Sequence, residues 1–259
     1  MSIRRPRLVA AAGFVGWLLV PSRGLAQTDF RNLDSGRPSR VTDAYPVERY
    51  AVELSFPYSF SSGGGRSEHS LGPRIDVGLF RNGSVDIGFD LDVDSGVGVV
   101  EAGLLWNVRR ETPSLPAVSF AVEAAAPVGD QASSGGLTAG LLATRSVGRS
   151  RLHLNGRFSV LGDATPPRVG SRWWLGAAWD RTLIRSSTVL VAEAGIEREV
   201  AGADLVWSAG LGFRRQIAPT WVLLGGLNHR FEASAGQTTI RAGLSNAFAL
   251  GWFRRGGAR

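Results

Sequence analysis

Residues 84–94, SVDIGFDLDVD, alternate apolar and polar side chains without a break. Successive side chains of a β-strand point to opposite faces. Val85, Ile87, Phe89, Leu91 and Val93 therefore share one face, and Asp86, Gly88, Asp90, Asp92 and Asp94 the other. The pattern recurs from residue 48 onward, in segments closed by turn-forming residues. Twelve strands are predicted, over 48–60, 70–81, 84–93, 96–110, 116–127, 136–147, 150–162, 171–184, 187–199, 203–217, 220–232 and 237–253. In the seventh, Leu152, Leu154, Phe158 and Val160 oppose Arg151, His153, Asn155, Arg157 and Ser159. In the tenth, Leu205, Trp207, Ala209, Leu211 and Phe213 oppose Asp204, Ser208, Gly210, Gly212 and Arg214. A one-residue slip would carry every charge to the apolar side, so register is strongly encoded.

A sheet with one oily and one charged face suits either a soluble sandwich or a membrane barrel with lipid outside and a polar lumen inside. The connections favour the barrel. Those after even-numbered segments are mostly tight, as at 81–83, 147–149, 184–186 and 218–219, although 111–115 is longer. Several after odd-numbered segments read as longer loops, at 61–69, 128–135 and 162–170. Short turns at one rim and long loops at the other mark outer-membrane barrels, and an even strand number returns both ends to the periplasmic side. Aromatics on the apolar face fall into two bands: Tyr50, Trp106, Phe120, Trp179, Phe213 and Trp221 toward the short-turn rim, and Phe60, Phe89, Phe158, Trp173 and Phe231 toward the other. Such bands fit the two membrane interfaces. The expected fold is thus all-β, a transmembrane antiparallel up-and-down barrel of about 12 strands. Its lumen is expected to hold Glu53, Arg74, Asp76, Asp86, Asp90, Glu101, Arg109, Glu123, Arg157, Glu193, Glu197, Asp204, Arg214, Arg230 and Arg241, with opposite charges pairing to offset desolvation.

The N-terminus refines this picture. Arg4, Arg5 and Arg7 precede an apolar run over 8–20 and small residues at Gly24 and Ala26. This is the pattern of a cleaved signal peptide over 1–26, and the run is too short for a spanning helix. The chain carries 29 basic residues, all Arg, against 22 acids. Four of the Arg lie in the leader, so the remainder is near neutral and does not point to nucleic acid. With no Cys, an exported chain must rely on a large core or closed hydrogen bonding. Residues 27–47 are polar, carry Pro and Gly, and show no period. They read as a periplasmic lead segment before a barrel over 48–259. Either they fold into the lumen as a plug, through Asp34, Arg37 and Arg40, or they form a tail.

The lead Leu33-Asp34-Ser35-Gly36-Arg37-Pro38, then Thr42-Asp43-Ala44-Tyr45-Pro46-Val47-Glu48-Arg49 and the strand start Ala51-Val52-Glu53-Leu54, resembles the opening of the transporter-like outer-membrane barrels named for the meta pathway of phenol degradation. The resemblance implies an outer-membrane barrel that helps small, often aromatic, molecules to cross, and it brings no catalytic set. The final strand, with Arg241, Gly243 and Phe248, resembles an assembly signal, departing from the usual pattern at Asn246.

Little in the residues points to chemistry. Neither His153 nor His229 has a Ser at the two-residue spacing used by barrel phospholipases, and His69, followed by Ser70, falls in an expected loop, so a structural role is expected for each. The acids of 84–94 lack a calcium-loop spacing and read as a lumen ion-pair network. Gly210-Leu211-Gly212 reads as relief of crowding and Asn82-Gly83-Ser84 as a turn. No catalytic residue, cofactor or metal is expected. The sequence supports an outer-membrane channel for small, aromatic or hydrophobic, solutes in a Gram-negative cell. The alternatives are a structural or interaction barrel with a closed lumen and, least supported, a surface hydrolase. The expected partners are outer-membrane lipid, lipopolysaccharide, the barrel-assembly machinery and the solute, with the chain monomeric.

Overall fold

The computed structural model describes residues 38–128, 134–164, 167–183, 187–200, 204–232 and 236–249. The leader over 1–26 lies outside the described residues, as do Asp34 and Arg37. Thirteen strands follow one another: β1 (Ala51–Gly63), β2 (Arg66–Leu71), β3 (Arg74–Phe80), β4 (Gly83–Asp92), β5 (Gly98–Arg109), β6 (Ala117–Val128), β7 (Ser134–Val147), β8 (Ser150–Ala164), β9 (Pro167–Leu183), β10 (Thr188–Glu199), β11 (Val206–Ala218), β12 (Trp221–Phe231) and β13 (Gln237–Ala249). Strands β2 and β3 both lie between β1 and β4 and are two halves of one stave, broken at Gly72-Pro73. Pro73 has no N–H to donate, which accounts for the break. All pairings are antiparallel, and β13 closes onto β1 from Ala51↔Ala249 to Gly63↔Gln237. The result is a closed barrel of twelve staves, with no helix among the described residues.

The structure lengthens the hairpins that were expected to be loops. β1 and β2 run to a two-residue turn at Gly64-Gly65, with φ of 59° and 76°. Only glycine adopts this conformation without steric cost, so the turn is tight and the flanking polar residues pair as strands. β8 and β9 pair out to Ala164↔Pro167. At 15 and 17 residues they exceed the roughly 9 to 11 that a tilted strand needs to cross a bilayer. The asymmetry between the rims therefore comes from strands that overrun the membrane more than from irregular loops.

The alternation determines the outer face. Leu211, Ile87, Leu154 and Leu141 are each more than half exposed, and Trp106, Phe120, Trp179, Phe158 and Phe231 stand among them. In water such a continuous apolar surface would drive aggregation, whereas in a bilayer it is matched to its solvent. We expect Leu211→Arg, near the middle of β11, to destabilise the refolded barrel by about 2–4 kcal/mol in lipid vesicles. Leu211→Ala serves as the smaller control. Denaturant titration in vesicles measures the difference, and equal midpoints would mean that this face does not meet lipid.

Candidate functional site: the lumen and the segment that crosses it

Facing the lumen, the staves present polar side chains, and residues 38–50 run across the barrel interior. An extended segment placed there brings N–H and C=O groups that need partners. The wall supplies them. Glu193 on β10 accepts from the amides of Arg40 (2.8 Å) and Val41 (3.2 Å). Asn155 on β8 accepts from the Thr42 amide (2.7 Å) and donates to the Thr42 carbonyl (2.8 Å). Thr144 on β7 accepts from the Ala44 amide (2.9 Å). The Ala44 carbonyl accepts from Asn107 on β5 (2.8 Å) and from Ser119 on β6. Apolar contacts lie between these bonds. Val41 packs with Trp174, Ala178, Val189 and Val191, and Ala44 with Ala117 and Leu142. Val41 and Ala44 are fully buried, so the barrel's small hydrophobic core forms around this segment.

Charges reinforce the attachment. Asp43 pairs with Arg151 (3.3 Å), which also pairs with Asp180 (2.7 Å). Arg40 pairs with Glu197 (2.8 Å), and Glu197 also takes Arg230 (2.5 Å). Arg40 and Arg157 both lie on the Trp174 ring, 5.1 and 5.4 Å from its centroid. Arg157 donates to the Arg40 carbonyl (3.3 Å) and the Thr42 hydroxyl (2.7 Å). At the short-turn rim, the Tyr45 hydroxyl donates to Glu111 (2.6 Å), which also accepts from the amide (2.6 Å) and hydroxyl (2.9 Å) of Ser146. Burial pushes the Tyr45 phenol above its ordinary range. Burial also raises Glu111, but its hydrogen bonds from Tyr45 and Ser146 outweigh that and hold it below its ordinary value. The segment leaves through Tyr50, whose φ of 69° is unusual for a residue with a side chain. Its amide donates to Gly78 (2.7 Å).

A second network lines the opposite wall. Arg74 on β3 pairs with Asp86 (2.6 Å) and Glu101 and lies 4.0 Å from Glu123. Its guanidinium lies over Gly88, where a Cβ would come within 3.1 Å of Nε. That glycine makes room for the cation. Asp76 opposes Asp86 across β3 and β4, a like-charge pair that Arg74 offsets. Glu53 pairs with the fully buried Arg214 (3.7 Å). Arg241 lies on the lumen face of β13. Two of the expected lumen residues are placed elsewhere. A bulge between Asn107 and Arg109 resets the alternation. Arg109 is therefore exposed at the rim, donating to the Pro116 carbonyl (3.3 Å). Asp204 precedes β11 and is also exposed.

The histidines resolve individually. His69 is on β2 rather than in a loop, its ring nitrogen 2.6 Å from the Tyr58 hydroxyl. His229 contacts Phe231 and Thr238. His153 lies between Thr144 (3.0 Å) and Asp180 (3.0 Å), connected in the order hydroxyl, imidazole, carboxylate. That order is also found in nucleophilic triads. Here all three are buried, the Thr144 oxygen accepts the Ala44 amide, and Arg151 occupies Asp180. Thr144 is then free to donate to Nδ1, and Nε2–H donates to Asp180, so a neutral imidazole satisfies both contacts. The arrangement clamps the lead segment. Alternation shows that Thr144, Asn155, Trp174 and Asp180 face inward, but it does not reveal that they bind the lead segment.

Replacing Asn155 with Leu removes both bonds to Thr42 and leaves its amide and carbonyl unpaired, each at a cost of about 1–3 kcal/mol. The chain has no Cys, so a single Ser39→Cys reports on release. We expect maleimide to label it at least about tenfold faster with Asn155→Leu than without. The Glu111 tether is at full strength above the ordinary carboxylate value of 4.5 and is lost as pH falls through the lowered folded value. Hydrogen exchange over 42–48, corrected for intrinsic pH dependence, is expected to accelerate only below that point.

No family model and no curated protein sequence matches the chain. Solved structures do match. The KdgM porin aligns with a TM-score of 0.56 at 12% identity, over 75% of this chain and 99% of its own. The NanC porin aligns at 0.56 and 8%, over 74% and 98%. The COG4313 outer membrane channel from Pseudomonas putida F1 aligns at 0.54 and 10%, over 83% and 100%. At these identities the likeness is one of fold, and the fold is that of outer-membrane porins and channels.

Proposed function

We propose that the protein is a passive outer-membrane channel for a small solute. One observation supports this reading above the others: the polar lumen is not filled. Beyond the lead segment, toward the long-hairpin rim, lies a cavity of about 320 Å³. Beside the segment, next to Tyr45 and Val47, a narrow cavity of about 80 Å³ runs along β3 to β7. Both are lined by Arg74, Glu123 and Arg157. A solute following this line would pass charged groups at every level, and these would set its selectivity. The porin and channel fold of the structural neighbours supports the same reading. An aromatic or hydrophobic solute rests only on the resemblance of the lead segment to the phenol-pathway barrels. The lead segment is the constriction in this proposal, with Arg40 as its principal charged anchor. Full burial of Val41 and Ala44 favours the second reading, a barrel sealed for a structural role.

Single-channel recording of the mature protein in a planar bilayer separates the two. The channel reading expects small, stable currents, and deletion of 28–44 is expected to raise conductance severalfold. Unchanged conductance after the deletion would remove the constriction from the proposal. Absence of current from a folded, heat-modifiable barrel would favour the sealed reading.

A further inference from the structure

The charges around the larger cavity are sorted by side. Asp90, Glu101 and Glu123 come from the neighbouring staves β4, β5 and β6, with Arg74 the one cation among them. Arg157 on β8, Arg241 on β13 and Arg40 of the lead segment line the same cavity outside that wall. The acids beside Arg40 and Arg241 are already engaged. Glu193 is taken by two backbone amides and Asn228 (3.0 Å), and Glu197 by Arg40 and Arg230. The Arg241 guanidinium keeps a buried Nη1 without a hydrogen-bond partner among the described residues. A buried donor of that kind costs free energy until an acceptor arrives, and a carboxylate is the acceptor that best satisfies a guanidinium. On the acid side, Asp90 is exposed to the cavity beside Ser70. The cavity thus carries a transverse field, positive at β13 and around Arg40, negative over β4 to β6.

We infer that this cavity is a binding subsite for a small zwitterionic amino carboxylate, held with its carboxylate on Arg241 and its ammonium on Asp90. The inference deepens the channel reading and rests on it for its transport role. A volume of about 320 Å³ admits a solute of a few carbons with its first waters. A neutral apolar solute would have to strip those charges of water without replacing the bonds. A simple anion or cation would satisfy one side and be repelled by the other. A zwitterion satisfies both.

The test uses γ-aminobutyrate, butyrate and butylammonium on the refolded full barrel in detergent, with binding read by calorimetry and current read separately in bilayers. Wild type is expected to bind aminobutyrate at least about tenfold more tightly than either single-charge analogue. Arg241→Gln and Asp90→Asn are each expected to weaken it by about tenfold, and Arg241→Lys to retain most of the affinity. Heat-modifiability on gels confirms that each variant is folded. Equal or undetectable binding of the three probes, or an Arg241→Gln barrel that is folded and binds as wild type does, would overturn the inference and leave the channel reading standing wherever current flows. Selective binding without any current would uphold the subsite and sink the channel.

Discussion

Lipid offers no partner to a backbone N–H or C=O, so a chain that crosses it as strands must pair every one of them internally. This constraint organises the molecule. It requires the ladder to close, which β1 and β13 achieve over thirteen residue pairs. It also explains why the break in the wall at Gly72-Pro73 is bridged by hydrogen bonds from Gly72 to Pro57 and from Phe89 to Pro73. Closure then divides the side chains into an apolar outer set and a polar inner set, because alternation leaves no third place for them.

The inner set inherits a second problem of the same kind. Charged groups held in a narrow, poorly hydrated lumen need opposite charges or hydrogen bonds. The protein solves this by bringing its own chain inside. Residues 38–45 meet wall side chains that act as a substitute ladder: Glu193, Asn155, Thr144, Asn107 and Ser119 take up backbone groups that in a sheet would face another strand. The polar residues that line the lumen therefore serve two ends. Some anchor the segment, and others, around Arg74 and Arg241, line the space that remains. Function, on the reading proposed, lies in that second group.

The parts of this arrangement that were legible in the sequence are those governed by local periodicity. Strand existence, strand number and the facing of Glu53, Asp86, Glu193 or Arg214 follow from an alternation of two, which reads directly along the chain. Arg109 departs from the expected lumen set because one inserted residue reverses that alternation, and a bulge leaves no local trace in such a pattern. The hairpin at Gly64-Gly65 looks like a loop in sequence because its flanking residues, Ser61 to His69, are polar on both faces. A strand beyond the membrane has no oily side to display.

Alternation along the chain gives every strand one oily and one charged face, and the turn lengths and aromatic bands then favour a closed barrel with lipid outside and charge inside over a sandwich. Which charges meet is settled by the fold. Arg40 and Glu197, Arg151 and Asp43, and Arg214 and Glu53 are separated by more than a hundred residues. Their pairing depends on barrel curvature and on the path of the lead segment, neither of which alternation encodes. Alternation turns the Trp174 ring inward and its neighbour Trp173 outward, but only the path of the lead segment and the curvature of the wall bring Arg40 and Arg157 onto that ring.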